Sequence, residues 1–286
     1  MAEVEYMRTI LSNIKENVFK DKGFKLAGIL LIISVIIRFG FYCNYTSSFD
    51  YDFNPYSFWS FIRINSMPSF VFQKIIPIIL MIGSITTFGL NIFSGYYKNF
   101  IARKGYKKYM VNEVIWAYLR GIILIVLTNM GILALGMILY PDAISGHFVN
   151  RGVIFMDGTC TNGIEALKIC LSTNISLSLF SCILTSLGII AIRVTHKIYL
   201  SYLVGYIMYL GINFAFTKEI TMIIYNFLNR PKDFLNIMLD NLFLVPVSYG
   251  QKYVIVYNLI LFLILNIIIY FIYKNKDKII LGLIKK

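Results

Sequence analysis

The chain has 286 residues, of which 58% are hydrophobic and 14% charged, with a formal net charge of +13. A soluble domain carries roughly 25% charged residues, so this composition excludes an ordinary water-soluble enzyme or a nucleic-acid-binding domain. The apolar residues fall in blocks of about 20, the length that crosses a hydrocarbon core, and the fold class expected is an all-α, polytopic membrane protein.

In chain order, the N-terminal segment before the first apolar block is amphipathic. Val4, Met7, Leu11, Ile14 and Val18 recur at helical spacing, with most charges elsewhere. Such a helix is expected to lie in the membrane interface, the alternative being a short helix packed on the bundle. Its basic residues run directly into an apolar block long enough to span, unlike a cleavable signal. Six spans are expected, at about 26–45, 75–95, 116–139, 169–192, 198–216 and 254–273. The segment 217–253 holds two short apolar halves separated by Asn229-Arg230-Pro231. Each half is too short to span, so the expectation is a re-entrant or interface-lying hairpin. The alternative, a seventh span, would carry the basic tail that begins at Lys274 to the other side. The loop 140–168 has no special feature.

Charge settles the expected orientation. With the N-terminus inside, the inner segments 1–25, 96–115, 193–197 and 274–286 hold 17 Lys/Arg, against 8 in the longer outer segments, as the positive-inside rule requires. The inner face then carries a net +11 and the outer face none. This charge suits anionic headgroups or an acidic partner, and no soluble basic domain exists to hold nucleic acid. Both termini are expected inside a multi-pass protein of the cell membrane.

The expected catalytic chemistry is sparse. The sequence has no phosphate-binding Gly-x-x-x-x-Gly-Lys-[Ser/Thr] loop. Its two histidines, His147 and His196, form no zinc-protease motif. Cys43, Cys160, Cys170 and Cys182 form no Cys-x-x-Cys pair. Cys43 and Cys160 fall near the same outer face, as free thiols or as a disulfide. No Asp or Glu lies well inside a predicted span, which counts against an ion-coupled carrier. Arg38 and Arg120 do lie within spans. Each either snorkels to headgroups or faces the bundle, with snorkelling favoured by Arg120's nearness to the inner surface. Glu113 precedes Arg120 by two turns and could share a polar cluster with it. Thr86, Thr87, Asn91, Asn129, Asn174, Asn213 and Asn266 are intramembrane polar positions, most of them expected to join helices. Thr87, Asn91, Asn129, Arg38 and Arg120 are also the candidates for a polar translocation path. Gly121, Gly131 and Gly136 suggest a close helix contact along the third span.

The stretch 94–113 is the most distinctive. Ser94-Gly95 is followed by Lys98, Arg103-Lys104-Gly105, Lys107-Lys108-Tyr109 and Glu113, with Tyr96, Tyr97, Phe100 and Tyr106 interleaved. Retention of the segment inside needs only the lysines. The aromatics suit either the membrane interface or a docking element. This pattern resembles the cytoplasmic connection between the second and third spans of ABC-2 type permeases, the membrane subunits of a class of ABC exporters. The layout of amphipathic N-terminal helix, six spans and broken hairpin is similar over essentially the full length. It departs from the family in lacking the acidic residue often found before the Gly, and in having Gly105 where Pro or Ser is frequent. The resemblance implies a short coupling helix between spans 2 and 3, with Gly95, Lys98, Arg103, Lys104, Gly105, Lys107, Lys108, Tyr109 and Glu113 in the coupling segment. It further implies a separate ATPase subunit that carries ATP and Mg, no cofactor on this chain, and a second permease copy or paralogue. The cargo implied is a peptide, a drug-like molecule or a lipid-like one, exported across a bacterial cell membrane. A contrasting reading is a non-transporting membrane protein, a sensor or immunity scaffold, with no ATPase partner.

Overall fold

The computed structural model describes residues 12–46, 55–60, 62, 67–93, 105–140, 153–154, 160–161, 163–214 and 251–274. The elements are a π-helical turn Lys15–Phe19, then α1 (Lys22–Thr46), α2 (Pro55–Ser60), α3 (Met67–Phe93), α4 (Tyr106–Leu139), α5 (Gly163–Thr195), α6 (Ile198–Phe214) and α7 (Gln251–Tyr273). Between α4 and α5, Val153–Ile154 and Cys160–Thr161 pair as a two-residue antiparallel ribbon, β1 and β2. The described chain is otherwise helical.

Among the described residues, four helical stretches are long and apolar enough to cross a membrane: Lys22–Asn44, Ile75–Phe93, Tyr106–Leu139 and Leu167–Thr195. Ile198–Ile212 and Asn258–Tyr273 are shorter apolar stretches. The proposed hairpin 217–253 falls almost wholly outside the described residues, as do 94–104 of the basic connection, the start of the amphipathic segment and the side chain of Cys160.

Helix α5 forms the centre. It packs against α3, α4, α6 and α7, and 72% of its most apolar stretch is buried, against 28% for α1. Its run Ser181 to Leu187 is buried on every side, as a helix enclosed by neighbours must be. The outer helices show one inward stripe each. On α1 this stripe is Ala27, Leu31, Ser34 and Arg38, while Ile29, Ile32 and Ile36 are exposed. On α7 it is Leu261, Leu265, Ile269 and Tyr273. Those spacings of three and four are one helical face, and the opposite apolar face is suited to lipid.

Two of the three glycines in α4 mark close contacts. A Cβ on Gly121 would collide with Ser181 of α5, and one on Gly136 would lie 2.9 Å from the Pro55 carbonyl oxygen of α2, whereas Gly131 has open space beside it. At the α2 end of the bundle, Phe58, Trp59 and Ile62 form a second core with Tyr42, Ile132 and Leu133.

Three sequence expectations are revised by the geometry. First, Val18 is fully buried in the main core and Ile14 packs beside it. This end of the amphipathic segment therefore lies on the bundle instead of in the interface plane. Second, α4 runs unbroken from Tyr106 for 34 residues, so the helix begins ten residues before the expected start of the third span at 116, while 94–104 of the expected coupling segment lie outside the described residues. Third, neither Arg38 nor Arg120 snorkels, since each is 2% exposed.

Candidate functional site

The residues from Asp21 to Phe24 set the geometry. Asp21 stands just before α1, and its Oδ1 accepts the backbone N–H of Phe24 at 2.9 Å, a side-chain cap on a helix start. Gly23 then lets α1 settle on α3. A Cβ there would fall 2.7 Å from Thr86 Cβ and 2.8 Å from the Ile82 carbonyl oxygen. The cap thus points the second Asp21 oxygen, Oδ2, into the bundle.

Two helices meet that oxygen. Thr87 Oγ1 of α3 donates to it, and Arg120 Nη1 of α4 lies 3.3 Å away, with both ionic side chains 2% exposed. The same nitrogen donates to the Ser84 carbonyl of α3 at 3.1 Å. One turn outward, Asn91 Nδ2 donates to Glu113 Oε2 at 3.1 Å. Ser84, Thr87 and Asn91 share one stripe of α3, and Glu113 and Arg120 one stripe of α4, as spacings of three, four and seven dictate. Ala117, fully buried, lies between the two charged residues and keeps the helices close. The result is an ionic cluster of Asp21, Thr87, Arg120 and Ser84, with the Asn91–Glu113 pair beside it, that ties the start of α1 to the last turns of α3 and the first half of α4.

The network contains two carboxylates and one guanidinium. Glu113 is an electrostatic neighbour of both Arg120 and Asp21. Buried charges of this kind are held by pairing, because an isolated one would cost several kcal/mol. Arg120 Nε and Ser181 Oγ are buried without a hydrogen-bond partner, so the guanidinium is incompletely satisfied. No group of three or more metal-binding side chains occurs among the described residues. The arrangement can lock helices together or release them, and it supplies no nucleophile–base pair.

The other polar positions join helices elsewhere. Arg38 donates to the Ile62 carbonyl at 2.9 Å, the Ser34 carbonyl at 3.1 Å and Ser34 Oγ at 3.2 Å, so it fastens α1 to the segment after α2. Asn129 Nδ2 of α4 donates to Asn174 Oδ1 of α5 at 3.2 Å. Thr86 pairs with Tyr202 of α6 at 2.7 Å, and Tyr118 donates to Asn266 Oδ1 of α7 at 2.9 Å. Tyr42 and Tyr140 join their hydroxyls where α1 meets the end of α4. Asn213's side chain is outside the described ones.

Of the basic segment, Gly95, Lys98, Arg103 and Lys104 lie outside the described residues. Gly105 sits at the N-cap of α4 with φ 79°, a backbone region that glycine enters without penalty. Lys107 and Lys108 are exposed on the first turn. Tyr109 is 1% exposed and packs into the main core, so its ring is unavailable as a surface contact. Glu113 is half-buried and accepts from Asn91, next to the buried Arg120. Arg38 and Asn129 are brought into separate contacts. The member that sequence reading missed is Asp21, because it precedes the apolar block. Its signal was the cap position three residues before Phe24. Neither a protein-family model, nor a curated protein, nor a solved structure matches this chain.

Proposed function

We propose that the chain is the permease subunit of an ABC-2 type exporter. It would have six spans and cytoplasmic termini, and it would work as a dimer with a second copy or paralogue. ATP and Mg belong to a separate ATPase subunit, and the cargo is a peptide, a drug-like amphiphile or a lipid-like molecule. The observation that carries this reading is the form of α4. Its exposed Lys107 and Lys108 stand at one end of an unbroken helix, and the same helix is tied through Glu113 and Arg120 to α3 and α1. A push on the basic end moves three helices as one body. Rigid-body displacement of this kind is how packed bundles convert a local contact into a change of access. The basic surface suits an acidic groove on an ATPase.

The test is co-purification with an ATPase from the source cell, together with transport-coupled ATP hydrolysis. Lys104→Glu, Lys107→Glu and Lys108→Glu combined should release the ATPase and abolish stimulation of hydrolysis while the permease still folds. Retention of the complex and of full transport in that variant would remove the segment from the coupling role. Absence of any co-purifying ATPase would favour the non-transporting scaffold.

A further inference from the structure

A groove of about 340 Å³ lies between the first half of α4 and the last half of α7. Its walls are apolar, chiefly Val111, Val114 and Ile115 on α4 and Ile269 on α7. Its mouth carries two lysines, Lys107 and Lys274, both exposed. The Lys274 ammonium sits 5.9 Å from the centre of the Tyr270 ring, close enough for a cation–π contact. At the far end Tyr118 and Asn266 line the groove and close it with their mutual hydrogen bond.

Length and polarity together select an occupant. From Lys107 to Tyr118 is about 16 Å along a helix, close to half of a hydrocarbon core of about 30 Å. The groove's length therefore matches the depth of one leaflet, with its cations at one end and its apolar walls along the rest. A soluble peptide would leave the deep apolar part in contact with lipid. A neutral lipid would leave two lysines without a counter-charge. We infer that this groove holds one anionic phospholipid, its phosphate between Lys107 and Lys274 and an acyl chain against Val111, Val114 and Ile269. The inference needs the chain to span a membrane and does not depend on an ATPase partner.

The experiment is native mass spectrometry of the full chain, purified alone in mild detergent and titrated with phosphatidylglycerol or phosphatidylcholine. The wild type should retain one phosphatidylglycerol in preference to phosphatidylcholine. Lys107→Ala with Lys274→Ala should weaken that retention about thirtyfold, as expected for two near-surface lysines. Val114→Phe, which fills the groove and keeps both charges, should also lose it. Lys20→Ala with Lys197→Ala removes the same charge from exposed sites elsewhere and should retain the lipid. Equal loss in that control would overturn the proposal in favour of diffuse surface charge. Undiminished retention in both groove variants would overturn it outright. A protein dimer that Val114→Phe dissolves regardless of added lipid would assign the groove to a second copy.

Discussion

Removing Arg120 should be among the most damaging single changes in the chain. Its guanidinium and the Asp21 carboxylate are 3.3 Å apart and each 2% exposed. Arg120→Leu would leave Asp21 Oδ2 with Thr87 as a neutral partner and no cation. Breaking a buried pair from one side costs about 3–5 kcal/mol. At about 2–4 °C per kcal/mol for a large domain, the melting midpoint should fall by roughly 10 °C. Asp21→Asn should cost less. The amide oxygen can still cap Phe24, and Nδ2 in the place of Oδ2 can donate to the Thr87 hydroxyl, while Arg120 keeps the Ser84 carbonyl. The double variant has neither charge and should be no less stable than Asp21→Asn alone, giving a coupling energy of about 3 kcal/mol or more. Heating the protein in lipid nanodiscs, followed by fluorescence-detected size exclusion, measures all three midpoints. Additive costs, or an Arg120→Leu protein as stable as the wild type, would show that the pair does not hold the helices.

Other contacts give smaller, separable effects. Gly23→Ala should destabilise by about 1–3 kcal/mol, because the added methyl meets the Ile82 carbonyl oxygen at 2.8 Å; the same melting assay reads it. Arg38→Leu forfeits the charged hydrogen bond to the Ile62 carbonyl, worth about 1.5–3 kcal/mol. Because Trp59 is fully buried beside Ile62 in the same cluster, its emission should shift to the red in that variant, measured with Trp116 replaced by Phe. A double-mutant cycle on Asn129 and Asn174, each changed to Leu, should return about 0.6 kcal/mol, the usual worth of an interhelical hydrogen bond in a membrane. A coupling of zero would leave Asn129 available to a translocation path.

The helical class and the apolar stretches were legible because lipid and core both demand long apolar runs, and such runs announce themselves at 20-residue scale. Glu113 and Arg120 were linked by their seven-residue spacing alone, since a helix repeats its face every two turns. Asp21 was harder. Its partners Thr87 and Arg120 are distant in sequence, and only the docking of α1 on α3 through Gly23 brings them together. The fates of Arg38 and Arg120 were misjudged for a related reason. Snorkelling depends on depth, which sequence gives, whereas burial depends on an acceptor from another helix. For Arg38 that acceptor is the Ile62 carbonyl, a backbone atom that no side-chain pattern marks. Tyr109 had the composition of a docking surface but the position of a core residue, because it lies on the inward stripe of α4 with Ala117 and Arg120.

The placement of the ties along α4 bears on how the proposed permease could move. At 1.5 Å per residue, 34 residues extend about 51 Å, well beyond a core of about 30 Å. The helix must therefore project, and its exposed lysines are at an end. Glu113 and Arg120 hold the half nearest those lysines to α3 and α1, whereas Asn129 meets α5 and Gly136 meets α2 further along. The ionic ties are stronger than the amide pair, since hydrogen bonds to charged groups exceed neutral ones. A force applied at Lys107 and Lys108 would then carry α1 and α3 with α4 and yield first at the Asn129–Asn174 contact. In the permease reading, access would change by opening between α4 and α5 while the basic end stays closed as a unit. A crosslink between cysteines placed at 129 and 174 should stop transport without dissociating the ATPase, whereas one between 91 and 113 should be tolerated. The reverse outcome would put the moving boundary within the ionic network itself.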